Sequence, residues 1–277
     1  MTPIIQQTFI YPVKSLAGIP RDSLVLTDRG AQGDRRWMLV DNEGRFISQR
    51  EWPRLCLFRV STANEGFEIK GQRGESVRVP LSLAQGRNVM VSVWSDNVCA
   101  IEADQEVNQF FSRELDMPCR LVYMPEESHR FVDSTYAGDG QLTSFSDAYP
   151  LLLIGSGSLR ELNRRLRENS ESEMSWDRFR PNIVVATDEP HVEDSWSEFA
   201  LGNVEARGVK LCSRCVMTTV DQSSGVAGKE PLRTLAQYRT MKNKIMFGQN
   251  VIAHQGVIRI GDAIRISKIA FPPNAEF

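Results

Sequence analysis

Cys212 and Cys215 are separated by Ser213 and Arg214, which places two thiols and a cation in one short turn. Val209-Lys210-Leu211 lead into the turn, and 216–220 follow it as a second run of strand-forming residues. A structural zinc site needs four ligands, usually from a second such pair or from closely spaced histidines. Here the other cysteines are scattered, and His129, His191 and His254 stand singly. A thioredoxin-like pair needs its first cysteine at a helix N-terminus, and 216–220 read as a strand instead. Those two chemistries are weakened, and two readings stay open. The thiols are small buried apolar groups, or Cys215 is a single thiolate ligand to a soft or high-valent metal. Arg214 beside Cys215 would favour the thiolate.

One cysteine cannot hold a metal alone, so the other ligands would arrive with an organic cofactor. An anionic cofactor needs basic residues from elsewhere in the chain. Lys14 with Ser15 ends the first strand-like run, Arg35 follows a turn-rich stretch, and Arg180 precedes Pro181 and a buried strand. The planar fork of arginine suits phosphate oxygens, and a proline at 181 predicts an extended Arg180. Taken singly, each of these residues also reads as a solvated cation in a loop.

The elements that position them are mostly strands. Residues 4–13 alternate and read as a strand interrupted by Pro12. Strand 37–40 turns at 41–44 and pairs back through 45–48, and short strands are expected at 56–61, 66–70, 76–79, 89–94 and 98–102. Cys56, Cys99 and Cys119 lie in apolar runs and are expected to be buried. Asp104 caps an amphipathic helix reaching Asp116, with Val107, Phe110, Phe111 and Leu115 inward. A strand at 121–124 precedes an irregular stretch, 125–147, long enough to be functional or mobile. An apolar strand at 151–154 leads to a helix with Leu159, Leu162 and Leu166 inside. Its arginines, interleaved with Glu161 and Glu168, read as a solvated face. Strand 183–186, a hairpin at 198–207, a helix opened by Pro231, and strands 251–253, 257–260 and 263–268 complete the reading. The expected organisation is a β-rich N-terminal domain over 1–124, a second domain over 125–268, and a linker-like tail at 269–277.

The bulk properties exclude several classes. The 277 residues are 41% hydrophobic and 25% charged, with a net charge of −2 and a pI near 6.0. Such a chain has no general basic excess for nucleic acid polymers or anionic membranes. Five cysteines at irregular spacing do not make a disulfide framework. No run approaches a membrane span, and no secretory signal opens the chain, so a cytoplasmic location is expected.

Six short motifs in order carry a family resemblance over nearly the whole chain. They are Tyr11-Pro12-Val13-Lys14-Ser15, Asp34-Arg35, Phe179-Arg180-Pro181-Asn182, Cys212-Ser213-Arg214-Cys215 with Thr218-Thr219-Val220, Lys229-Glu230-Pro231-Leu232, and Phe247-Gly248-Gln249-Asn250. The chain resembles the MOSC family, in the branch of the YcbX-type proteins and the mitochondrial amidoxime-reducing component. The resemblance implies a β-rich α+β fold, a MOSC-type β-barrel with a smaller β-rich N-terminal domain and a few short helices. It also implies a molybdenum cofactor (Mo-molybdopterin), a pterin dithiolene with a terminal phosphate and an oxo-molybdenum centre. By the same resemblance Cys215 ligates the metal, with Cys212 as its structural neighbour. Lys14, Ser15, Arg35, Arg180, Asn182, Ser213 and Arg214 match positions that bind the pterin and its phosphate. Asp147-Ala148-Tyr149 match a cofactor-contacting segment, and Asp147 lies near the expected metal as a proton relay. The mitochondrial members carry Thr-Ser where this chain has Ala148-Tyr149, so contacts there would run through the backbone.

The implied activity is reductive removal of oxygen from N-hydroxylated small molecules: hydroxylamines, amidoximes or N-hydroxylated bases. It calls for an electron donor, separate or fused C-terminally, of ferredoxin-like or flavin reductase type. A non-redox alternative uses Cys215 as a persulfide in sulfur transfer, or holds cofactor for delivery. Neither reading involves nucleic acid polymers or a membrane.

Overall fold

A computed structural model describes residues 2–272. Strands dominate, and the largest sheet curls as a half-barrel, a β-rich α+β fold. That sheet runs Ile264–Ile269, Trp196–Leu201, Val204–Ser213, Lys244–Ala253, Leu151–Gly155, Ile183–Val185, Ile5–Ile10 and Ile19–Arg21, with the short Thr240–Met241 strand beside Lys244–Ala253. The first strand in sequence is therefore inserted beside a strand from the second half of the chain, since Ile5–Ile10 pairs antiparallel with Ile183–Val185. A four-stranded sheet of Trp37–Val40, Arg120–Tyr123, Asp96–Glu102 and Asn88–Val93 lies beside it, with two three-stranded sheets. One apolar cluster joins these layers and includes Ile5, Trp37, Phe58, Phe111, Leu153 and Trp196. Among the described residues no helix is long and apolar enough to cross a membrane.

The two amphipathic helices form as their patterns predict. Gln105–Leu115 follows Asp104, which holds the N-cap position without a side-chain capping hydrogen bond, and ends at a left-handed Asp116, with Val107, Phe110, Phe111 and Leu115 buried. Ser156–Glu168 buries Leu159, Leu162 and Leu166, while Arg164 and Arg165 pair with Glu161 on the outer face.

Several expectations are corrected. Residues 56 and 57 are not strand, because Pro53 opens a 3-10 turn, Pro53–Leu57, and the strand starts only at Arg59–Ala63. Residues 216–219 are not strand either. Thr218 and Thr219 donate their hydroxyls to the carbonyls of Cys215 and Val216, at 2.9 and 2.7 Å, and wind Val216–Thr219 into a 3-10 turn. Phe247 to Asn250 is no approach to a strand but the middle of the ten-residue strand Lys244–Ala253. Gly248 adopts φ +79° there. Between the pairs Leu211–Gln249 and Ser213–Met246 the strand carries one extra residue, a bulge that a positive-φ glycine accommodates. Cys56 and Cys119 are buried, but Cys99 is exposed. Alternation along Asp96–Glu102 turns Val98 and Ala100 inward and leaves Cys99 outside. Residue 269 of the expected tail ends a strand, and 273–277 lie outside the described residues.

Candidate active site

The Cys212 to Cys215 turn leaves the end of Val204–Ser213 and is tied to the neighbouring strand. Ser213 pairs with Met246, and the Arg214 amide donates to Ile245 O at 2.7 Å. The turn opens on a cavity of about 430 Å³ lined by residues from across the chain. Its wall includes Lys14, Ser15, Arg35, Asp147, Ala148 and Tyr149, and also Arg180, Asn182, Ser213, Arg214 and Cys215. The eleven residues singled out from the sequence thus meet in one place. Among the described residues no group of three or more His, Cys, Asp or Glu side chains is arranged to hold a metal.

Backbone pairing fixes the cations. Lys14 N donates to Trp37 O at 2.8 Å, and the buried Nζ reaches Phe145 O at 2.8 Å and Asp147 Oδ1 at 2.5 Å. Burial lowers the Lys14 pKa to about 8, although Asp147 acts in the opposite direction. Burial would raise the Asp147 pKa, but Lys14 and Arg50 outweigh it and hold the carboxyl well below its usual range. Arg130 scaffolds the loop that carries Asp147, donating to Ser144 O at 3.0 Å and Ser146 O at 2.5 Å.

Arg35 has φ +49° and donates to Asp34 Oδ2 at 2.5 Å, Asn182 Oδ1 at 3.2 Å and Arg180 O at 3.1 Å. Burial opposes its charge, but Asp34 more than compensates and its pKa is raised. Arg180 is not extended. It has φ +57°, closing the 3-10 turn Trp176–Arg178 by donating its amide to Trp176 O at 3.1 Å. Proline at 181 disfavours only the right-handed helical region, so the left-handed one remains available at a cost. The guanidinium is held in return: it lies 4.2 Å from the Tyr11 ring centre and donates to Leu16 O at 2.5 Å. Its Nη2 is buried without a partner, and burial, with Arg35 adding, lowers its pKa to about 10. Asn182 accepts from Leu152 N at 3.2 Å and donates to Phe9 O at 3.2 Å, so it also binds strands together.

Arg214 does not serve Cys215. Its Nη1 lies 2.9 Å from Cys212 Sγ and its Nη2 donates to Phe179 O at 2.7 Å, while its Nε is buried and unpaired. Arg50 is the cation at Cys215. Its guanidinium engages both Cys215 and Asp147, the latter at 3.2 Å, and lies 4.4 Å from the Trp94 ring centre.

The arrangement offers two thiols without partner metal ligands, Cys212 taken up by Arg214 and Cys215 beside Arg50, near buried guanidinium nitrogens without acceptors. Comparison with known proteins agrees in extent with the motif order. The MOSC N-terminal beta barrel domain matches residues 2–118 and the MOSC domain matches residues 141–265. Mitochondrial amidoxime-reducing component 1 of Homo sapiens is 31% identical over 94% of this chain and 82% of its own length. The chain belongs to the MOSC family. Mitochondrial amidoxime reducing component 2 of Rattus norvegicus is likewise 31% identical, over 94% of this chain and 82% of its own length. The molybdenum cofactor sulfurase of Danio rerio is 33% identical over 89% of this chain, which corresponds to 31% of that longer protein.

Sequence reasoning missed several residues in the MOSC cavity. Arg50, Lys210 and Asn250 line it, and Arg130 and Gln49 brace it. Lys210 was legible, because period-two alternation puts it on the same face as Cys212. Arg50 was not, since only the tertiary fold carries the 45–50 segment to the cysteine turn.

Proposed function

We propose that this chain is a molybdenum-cofactor-dependent oxidoreductase that removes oxygen from N-hydroxylated compounds, with Cys215 as the protein's ligand to the metal. The observation that carries this reading is the Cys215 thiol, which unlike Cys212 is not engaged by Arg214, sharing a cavity with the unpaired buried donors Arg180 Nη2 and Arg214 Nε. A buried guanidinium nitrogen without an acceptor is costly unless a ligand supplies one. A metal site with a single protein ligand needs the remaining ligands to arrive with the metal. A pterin dithiolene bearing a phosphate fits both demands, and the similar molybdenum cofactor sulfurase is named for the same cofactor.

When bound, the cofactor supplies the two-electron oxygen-transfer chemistry. The chain supplies position and charge. Arg180 and Arg214 offer the phosphate their free nitrogens, and Lys14 and Arg35 add positive potential at the same wall. Ser213, Asn182 and the backbone at Ala148 complete the cradle. Arg50 packs over the Trp94 ring and sets a cation beside Cys215. Asp147 is held ionised by Lys14 and Arg50, so we assign it to orienting those two cations rather than to relaying protons. The electron donor is a separate or fused redox protein.

Cys215→Ala, loaded in a molybdenum-replete host, should lose reduction of an N-hydroxylated amidine with an artificial electron donor while keeping its circular dichroism spectrum. Retained activity sinks the assignment. The sulfurase relative favours a second reading, in which Cys215 carries sulfane sulfur. A persulfide on Cys215 in protein free of molybdenum would select it.

A further inference from the structure

The cavity lining holds eight lysines and arginines and one acid, Asp147, on a chain of net charge −2. Three of these cations rest on aromatic rings near the cysteine turn. Arg35 and Arg180 gather on the Tyr11 ring, and Arg214 on Phe179. Lys210 rests on neither ring. It sits in Val204–Ser213 opposite Asn250, three strand residues before Ser213, which is about 10 Å along the strand. Its Nζ lies 3.8 Å from the Tyr136 ring centre and 3.8 Å from Asp133 Oδ2. Asp133 is half exposed, so this long ion pair is weak and exchangeable.

Tyr149 makes this end of the cavity a built feature. It is 5% exposed, lines the same space, and its hydroxyl is buried with no partner. Burial, with Asp133 and Tyr136 adding to it, pushes the phenol pKa up, so the group remains a donor. The Asn250 side chain lines the same wall. The short helix Ser134–Ala137 that carries Tyr136 is anchored through Ala137 O, which accepts from Arg207 Nη2 at 2.9 Å. An ammonium, an unsatisfied hydroxyl, an amide and an aromatic face therefore converge some distance from the cysteine turn.

We propose that the Lys210, Tyr136, Tyr149 and Asn250 end of the cavity is a substrate subsite for an oxyanion, so that the protein selects N-hydroxylated substrates carrying a carboxylate or phosphate group. The inference rests on the reductase reading of the same cavity. Lys210 and the Tyr149 hydroxyl bind the oxyanion, displacing Asp133 from the lysine, and the Tyr136 ring covers the adjoining flat part of the molecule. The N-hydroxyl end then lies toward Cys215. No bond to the subsite forms or breaks; its contribution is to affinity and orientation.

The test uses cofactor-loaded protein and a matched pair: an N-hydroxylated benzamidine bearing a ring carboxylate, and its methyl ester. The wild type should prefer the carboxylate, with the preference falling as salt rises. Lys210→Gln should reduce the carboxylate-to-ester ratio of kcat/KM about tenfold, mostly through KM, and Lys210→Arg should restore most of it. In parallel, titration calorimetry with inorganic phosphate on the loaded protein should show about tenfold weaker binding for Lys210→Gln. An unchanged ratio with unchanged phosphate binding overturns the proposal. So does a fall in molybdenum content of purified Lys210→Gln, which would place the lysine on the cofactor. If the loaded wild type reduces neither compound, the reductase reading has failed. The phosphate titration then decides the subsite alone, weaker binding supporting it and equal binding overturning it.

Discussion

Lys14 shows how burial and pairing compete at a single residue. Its pKa is lowered to about 8 by burial against the pull of Asp147, from an ordinary value of 10.5. Two consequences have opposite signs. Between pH 8 and 10.5 the unfolded chain binds more protons than the folded one, so this group's contribution to stability rises with pH. Over the same range the cavity loses a positive charge. Inorganic phosphate binding to the cofactor-free protein, followed by calorimetry from pH 7 to 9, should therefore weaken severalfold as pH passes about 8. Lys14→Arg should remove that step, because arginine stays charged. Asp147 behaves in reverse: its carboxyl is depressed, so its stabilisation is present above the ordinary carboxylate pKa of 3.8 and is lost as pH falls through its lowered value. Residue identity was readable in part, since motif order led to Lys14, Arg35, Arg180 and Arg214, four of the eight lining cations. Their partners were not. Arg214 stands next to Cys215 in the chain, yet its guanidinium turns back to Cys212, and Arg50, far away in sequence, takes the place beside Cys215. Adjacency along a chain sets which backbone is near, while rotamer and packing decide which charge is.

At the scale of elements, the cysteine turn depends on the strand beside it. Met246 pairs with Ser213, and Arg239 clamps Met246 from both sides, accepting its amide at 2.9 Å and donating Nε to its carbonyl at 3.0 Å. Arg239 is balanced in turn by the buried Asp194. Asp194 and the neighbouring Glu193 are both pushed up by burial, and each keeps one buried oxygen without a partner. Arg239→Met leaves these acids without their cation and should cost about 3–5 kcal/mol in denaturant unfolding. It should also loosen the turn, read as faster amide exchange at Arg214. The helices were legible because their apolar periodicity is strong and tertiary structure did not oppose it. The turns at 53–57 and 216–219 were not, because proline placement and threonine back-bonding overrode strand-favouring composition. The continuous strand through Phe247 to Asn250 was hidden by Gly248, whose positive φ reads as a turn in sequence and serves as a bulge in the sheet.

For the whole molecule, the half-barrel leaves an edge. Among the described residues Ile264–Ile269 ends the sheet order beside Trp196–Leu201, with Ile264 N also donating to Pro3 O, and five of its six residues are exposed. Ile269 is 71% exposed and Phe271 54%. An open edge carrying exposed apolar side chains among its charges is a site for association between copies. Ile269→Lys should lower light scattering on storage at high concentration without moving Tm by more than about 1 °C, because the side chain is largely in water. The overall architecture followed from alternation and turn residues spread along the chain. The sheet order did not, because the pairing of Ile5–Ile10 with Ile183–Val185 joins segments some 175 residues apart that carry no local mark of each other.

The outward Cys99 has a practical consequence for handling the protein. Its thiol stands on the surface of the four-stranded sheet, while Cys212 and Cys215 are only half-accessible within the cavity. Maleimides, iodoacetamide and air will therefore report on Cys99 first, and covalent dimers formed without reductant will be bridged there. Counting reactive thiols as a gauge of cavity occupancy becomes meaningful only in a Cys99→Ser background. In that background with Cys212 also replaced by serine, the remaining accessible sulfur becomes a direct measure of whether the metal's place at Cys215 is filled.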